Sequence, residues 1–181
     1  GFMHNMAASA AIPTDSLRSP TFTRKHGTTA SIMDYARFNY VAQPADRGVR
    51  LTPPRLGVYD FYAVEWAYRL FPGSKGYEDD AKQLRNLVDK HEGDPFYRYG
   101  LQQTNTRYDP SAIEEDLSND PVKAGDYGMA NLRFILSNLD KWIGDEDGGK
   151  RKAELYNEIL QQAMRYVRHV FVNVPGIYLY Q

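Results

Sequence analysis

The 181 residues carry 22 basic and 23 acidic side chains, a net charge of −1, so there is no excess positive field to hold a polyanion through its phosphates, and nucleic acid is not an expected partner. Cysteine is absent, which removes disulfides, thiolate metal sites and cysteine nucleophiles without fixing a redox compartment. The length suffices for one or two small domains whose core needs no metal or disulfide to fold, and no stretch approaches the roughly 18 apolar residues that span a bilayer.

In chain order, residues 5–54 are broken repeatedly by Pro13, Ser16, Ser19, Pro20, Gly27 and Thr28, which predicts a long ordered loop or a set of short turns. Residues 56–71 place Leu56, Tyr59, Ala63, Trp66, Ala67 and Leu70 at three- and four-residue spacing, the face of an amphipathic helix, stopped by Pro72 and Gly73. A second helix is predicted over residues 77–91, with Ala81, Leu84, Leu87 and Val88 inward, and a short hairpin over residues 95–108.

Asp120 before Pro121 is a helix start, an N-cap acceptor followed by a proline whose missing N–H costs nothing at the first helical position. Met129, Leu132, Leu136, Leu139 and Ile143 then trace a stripe, and after a turn at residues 144–149 a fourth helix carries Leu155, Ile159, Ala163, Tyr166 and Val170 on one side. These two helices are expected to pair as an antiparallel hairpin. The 14 Tyr, 8 Phe and 2 Trp are read as core and subsite-lining material. His26 and His91 read as solvated and His169 as structural. The acidic runs at residues 78–80, 114–116 and 145–147 read as solvated helix starts and loops, since none has the alternating ligands of a calcium loop.

The chemistry-bearing signal lies at the beginning. Gly1-Phe2-Met3-His4 fits the end of the zinc motif H-E-x-x-H-x-x-G-x-x-H, in which glycine lets the chain leave a helix so that a third histidine meets the first two. Ser31-Ile32-Met33-Asp34-Tyr35 follows in the place of a Met-turn, the methionine-bearing turn that floors the metal site without ligating the metal. On these motifs, and on Leu51-Thr52-Pro53-Pro54-Arg55-Leu56-Gly57-Val58-Tyr59-Asp60 leading into a closing helix, residues 1–72 resemble the metzincin zinc metallopeptidases. The blocks from His4 to Ser9, from Asp15 to Pro20 and from Ser31 to Gln43, with Glu115-Asp116-Leu117 and Tyr127-Gly128, are similar to a group of large bacterial members.

The resemblance implies a mainly α fold: residues 1–72 as the C-terminal subdomain of a metzincin catalytic domain, with ordered loops, Met-turn and closing helix, and residues 73–181 as a helical extension packed on it. It implies peptide-bond hydrolysis at zinc, with His4 as third metal ligand, Met33 in the Met-turn, Tyr35 steadying the oxyanion, and Phe38 and Tyr40 near the pocket for the substrate side chain. The partners implied are a peptide or protein substrate and the upstream part of the same catalytic domain, and export to the periplasm or cell surface is implied as well. H-E-x-x-H occurs nowhere in the sequence, so the expectation is a chain that binds zinc weakly and is inactive alone, as part of a metalloendopeptidase. The competing reading is a non-catalytic helical interaction module. An independent hydrolase ranks last, for want of a G-x-S-x-G elbow or a comparable local arrangement of nucleophile and base.

Overall fold

The computed structural model describes residues 1–52, 55–104 and 108–179; among them are five α-helices and two short 3-10 helices, and no strand. Within the predicted loop stretch, a 3-10 helix at Thr14–Arg18 leads into α1 (Pro20–His26). Ser19 Oγ accepts the Phe22 N–H at 3.2 Å and Pro20 opens the helix. Gly27 closes it at φ +77°, where a side chain would be strained. Seven residues are too few for a hydrophobic period to show in the sequence.

The remaining helices are α2 (Val58–Tyr68), α3 (Tyr77–Asp89), α4 (Pro121–Trp142) and α5 (Lys150–Phe171). The Asp120 carboxylate caps α4 by accepting the Lys123 N–H at 2.9 Å. Asp147, two residues before the N-cap Gly149 of α5, accepts the Arg151 N–H at 2.9 Å. Lys152 ties the turn by pairing with Asp140 at 3.0 Å and Asp145 at 2.8 Å, so the acidic run at 145–147 accepts from the first turn of α5 and forms ion pairs. The predicted antiparallel hairpin is present: Gly125 lies against Val170 and Gly128 against Tyr166. A Cβ on Gly128 would stand 2.5 Å from the Tyr166 ring.

The core lies mostly in the loop-rich half. Ile12, Leu17 and Val41 are fully buried together with Leu117 and Ala124, so one cluster draws on both stretches of the chain. Ala8, Ala11 and Ala30 form a second cluster under Tyr59 and Phe96. The helical hairpin docks through Asn131, which donates to the carbonyls of Tyr40 and Ala42 at 2.8 Å each, and through Tyr127, whose hydroxyl accepts from Arg18 at 3.0 Å while Arg18 holds Asp46 in a two-pronged pair.

Four expectations are corrected. The 56–71 helix is shorter, and it does not bury one apolar face: Phe61, Val64, Trp66 and Tyr68 are exposed, as are Leu56 and Leu70 beyond its ends, while Asp60 is its buried residue. Apolar residues run around α2 rather than along one side of it, so no single face turns to the core. In α3, Leu87 is buried, Ala81 and Leu84 are half-buried, and Val88 is exposed. The described part of the 95–108 stretch forms a 3-10 helix at Pro95–Tyr97, and Gly100 then accepts the Met6 N–H at 2.8 Å; residues 105–107 of that stretch, like Pro53 and Pro54 of the closing-helix block, lie outside the described residues.

The fourth correction concerns the histidines. His91 stacks on Tyr97 with ring centroids 3.7 Å apart, and His26 stacks on Phe22 at 4.7 Å. Both are half-buried rather than solvated, because a flat imidazole packs well on an aromatic face. His169 is buried, in keeping with a structural role.

Candidate metal centre

The stretch from His4 to Ser9 runs beside the stretch from Ala30 to Asp34, and backbone hydrogen bonds fix the register. Asn5 N–H donates to the Met33 carbonyl at 3.0 Å and Ala30 N–H to the Ala8 carbonyl at 3.1 Å. This places the His4 and Tyr35 rings in contact, 4.4 Å between centroids and tilted by 51°.

Buried polar side chains hold both stretches. Asn5 is fully buried; its Oδ1 accepts from Ala7 N–H at 3.2 Å and Gly100 N–H at 2.9 Å, and its Nδ2 donates to the Arg98 carbonyl at 3.0 Å. With all these groups satisfied, burying the amide carries little penalty, and the residue next to His4 is fixed. On the other side, Ser31 Oγ accepts the Met33 N–H at 3.0 Å and donates to Asp60 Oδ1 at 2.6 Å. Asp60 Oδ2 accepts from Ile32 N–H at 3.0 Å and Gly57 N–H at 2.7 Å. One carboxylate thus caps α2 and pins the turn at 31–33. The approach is close enough that a Cβ on Gly57 would lie 2.0 Å from the Ala30 carbonyl oxygen.

Beneath the turn, Asp34 Oδ2 accepts the Ser9 N–H at 2.7 Å, and Ser9 Oγ donates to Asp116 Oδ1 at 3.1 Å. All three residues are buried. Burial pushes the Asp34 carboxyl up to about 7, against the opposing pull of hydrogen bonds from Ser9 and Ala36. Asp116 sits in a short segment whose Glu115 and Ser118 have φ of 67° and 78°, a left-handed conformation uncommon outside glycine and held only where surroundings over-determine it. Glu115 is clamped by two arginines, Arg37 and, at 2.5 Å, Arg165.

Of the residues singled out from the sequence, His4, Met33 and Tyr35 come together, with His4 and Met33 half-buried and Tyr35 exposed. Phe38 is exposed to 65%. Tyr40 stands elsewhere: its hydroxyl accepts the Leu117 N–H at 3.0 Å, its ring lies 4.7 Å from that of Tyr166, and burial pushes its phenol well above the ordinary range. Asn5, Ser9, Asp34 and Asp60, which frame the site, were not singled out from the sequence. Only Asp60 carried a local signal, an acid in the first turn of a helix three residues after glycine.

Among the described residues no group of three or more His, Asp or Glu side chains could hold a metal ion. His4 offers one imidazole, and a catalytic zinc takes three protein ligands, so the donor set of this chain alone does not fit that metal. No helix among the described residues is long and apolar enough to cross a membrane. A family model described as Met-zincin matches residues 1–181, and the chain belongs to that family. No curated protein and no solved structure matches it.

Proposed function

We propose that this Met-zincin chain is the part of a zinc metallopeptidase that supplies the third metal ligand, His4, and the turn beneath the metal, and that it hydrolyses no peptide by itself. The observation that carries the reading is the juxtaposition of His4, Tyr35 and Met33: rings in contact at 4.4 Å and Asn5 N–H bonded to the Met33 carbonyl at 3.0 Å. Residues 1–72 carry this site and residues 73–181 buttress it through the Asp116 and Glu115 contacts. Tyr35, exposed beside His4, donates a hydrogen bond in this reading to an oxyanion developing on a scissile carbonyl. Phe38 offers an apolar contact to a substrate side chain, and Tyr40 serves as an anchor to the helical hairpin.

The exposed apolar surface of α2 supports a larger catalytic body of which this chain is one wall. The test is zinc content, by elemental mass spectrometry, of the chain extended upstream through its native sequence, with the His4→Ala variant and the 181-residue chain alongside. About one zinc per extended chain, lost in the variant and missing from the short chain, is the expected result. An extended wild-type chain without zinc would remove the metallopeptidase reading and leave a non-catalytic interaction module.

A further inference from the structure

The hairpin of α4 and α5 is apolar on two sides, and one of them is uncovered. Tyr166 and Arg165 of α5 face the loop-rich body through Tyr40 and Glu115. On the far side, Tyr156, Leu160, Met164, Val167 and Phe171 recur at spacings of four, four, three and four residues, a second stripe of helical period. All five are between 45% and 67% exposed. The stripe is about 22 Å long at 1.5 Å per residue.

The register set by Gly125 against Val170 and Gly128 against Tyr166 brings two α4 residues to the same side. Val122 and Leu136 lie two heptads apart, are 54% and 45% exposed, and stand level with the two ends of the stripe. Half-exposed side chains of this size leave on the order of 600 Å² of apolar surface, at the upper end of what a monomer shows and close to the roughly 800 Å² that each partner contributes to a standard interface.

We propose that this face binds a second copy of the chain, α5 against α5 in antiparallel fashion about a two-fold axis near Gln161 and Gln162. The stripe is self-complementary under that reversal. Leu160 meets Met164 of the second copy, Tyr156 meets Val167, and the large Phe171 falls opposite the small Ala153. Glu154 and Arg168, both exposed on one flank of the stripe, come side by side with opposite charge in two symmetry-related pairs. A stripe serving an unrelated partner has no need of such matching about its own midpoint, whereas a two-fold interface requires it. The two hairpins would then form a four-helix layer with the loop-rich bodies outward. This inference stands independently of the zinc reading.

Sedimentation equilibrium of the 181-residue chain tests it. Toward about 100 μM, a concentration range suited to an interface of this size, the mass is expected to rise from 20.7 kDa toward twice that value. Leu160→Glu, at an exposed position, should weaken association by about 30-fold or more, the scale of an interface hot spot, with unchanged circular dichroism and, in dilute solution where both chains are monomers, an unchanged melting temperature. Glu154→Arg and Arg168→Glu should each weaken it by roughly 3- to 10-fold, and the double swap should restore it. A folded wild-type chain that stays at 20.7 kDa throughout this range overturns the proposal. So does association insensitive to Leu160→Glu, or a double swap no tighter than either single one.

Discussion

Replacing Asp34 by asparagine removes a buried titrating group while keeping an oxygen that can accept the 2.7 Å hydrogen bond from Ser9 N–H. Burial raises this carboxyl from 3.8 to about 7, so between these values the folded chain binds a proton that the unfolded chain has released. Stability from this group is therefore fully present below about pH 4 and is lost as pH rises through 7, the reverse of an ion-paired carboxylate. At 1.36 kcal/mol per unit, the loss between pH 5 and pH 8 comes to roughly 2 to 3 kcal/mol. Asp46, held below its usual range by Arg18, works in the opposite direction and in more acid solution, outside this window. Urea denaturation of wild type and Asp34→Asn at pH 5 and pH 8 measures the difference directly: the wild type should lose about 2 kcal/mol more than the variant over that interval. Parallel pH profiles would refute the assignment of a buried, proton-bearing carboxyl under the turn.

Removing Asp60 as Asp60→Ala deprives the Ser31 hydroxyl and the Ile32 and Gly57 amides of their acceptor. It should cost about 2 to 4 kcal/mol in denaturant titration, with faster amide exchange at those two residues. Gly128→Ala puts a Cβ 2.5 Å from the Tyr166 ring and should cost about 1 to 3 kcal/mol by overpacking, seen as a lowered denaturation midpoint with unchanged helix content. Tyr35→Phe alters an exposed residue, so stability should move by less than about 0.5 kcal/mol; in the zinc-loaded, extended protein kcat should fall by about 100-fold, the scale of one lost oxyanion donor.

The hairpin of α4 and α5 was legible because its signals are local: an N-cap aspartate, a proline at the first helical position and repeated 3.6-residue stripes. His4, Met33 and Tyr35 were singled out because they belong to a short pattern with fixed order, and the fold brings them side by side. The frame around them was not, since Asn5 finds Gly100, Ser9 finds Asp116, and Ser31 finds Asp60 across separations of 95, 107 and 29 residues. Sequence spacing carries no trace of such pairings. Tyr40 shows the converse: its position five residues after Tyr35 placed it by motif near a pocket, while its contacts with Leu117 and Tyr166 come from residues 77 and 126 positions away.

The loop-rich half also explains how a site can be held without a sheet beneath it. Among the described residues no strand supports the stretches at 4–9 and 30–34, yet their backbone groups are buried and must be paired. Asparagine, serine and aspartate side chains take over that pairing, and each contributes several bonds of fixed direction where an apolar side chain would offer none. Because an unmade bond in such a network costs more than a made one contributes, the arrangement tolerates few alternatives. Rigidity of the His4 and Met33 backbone then follows from polar burial, while the rings of His4 and Tyr35 are less enclosed than that frame.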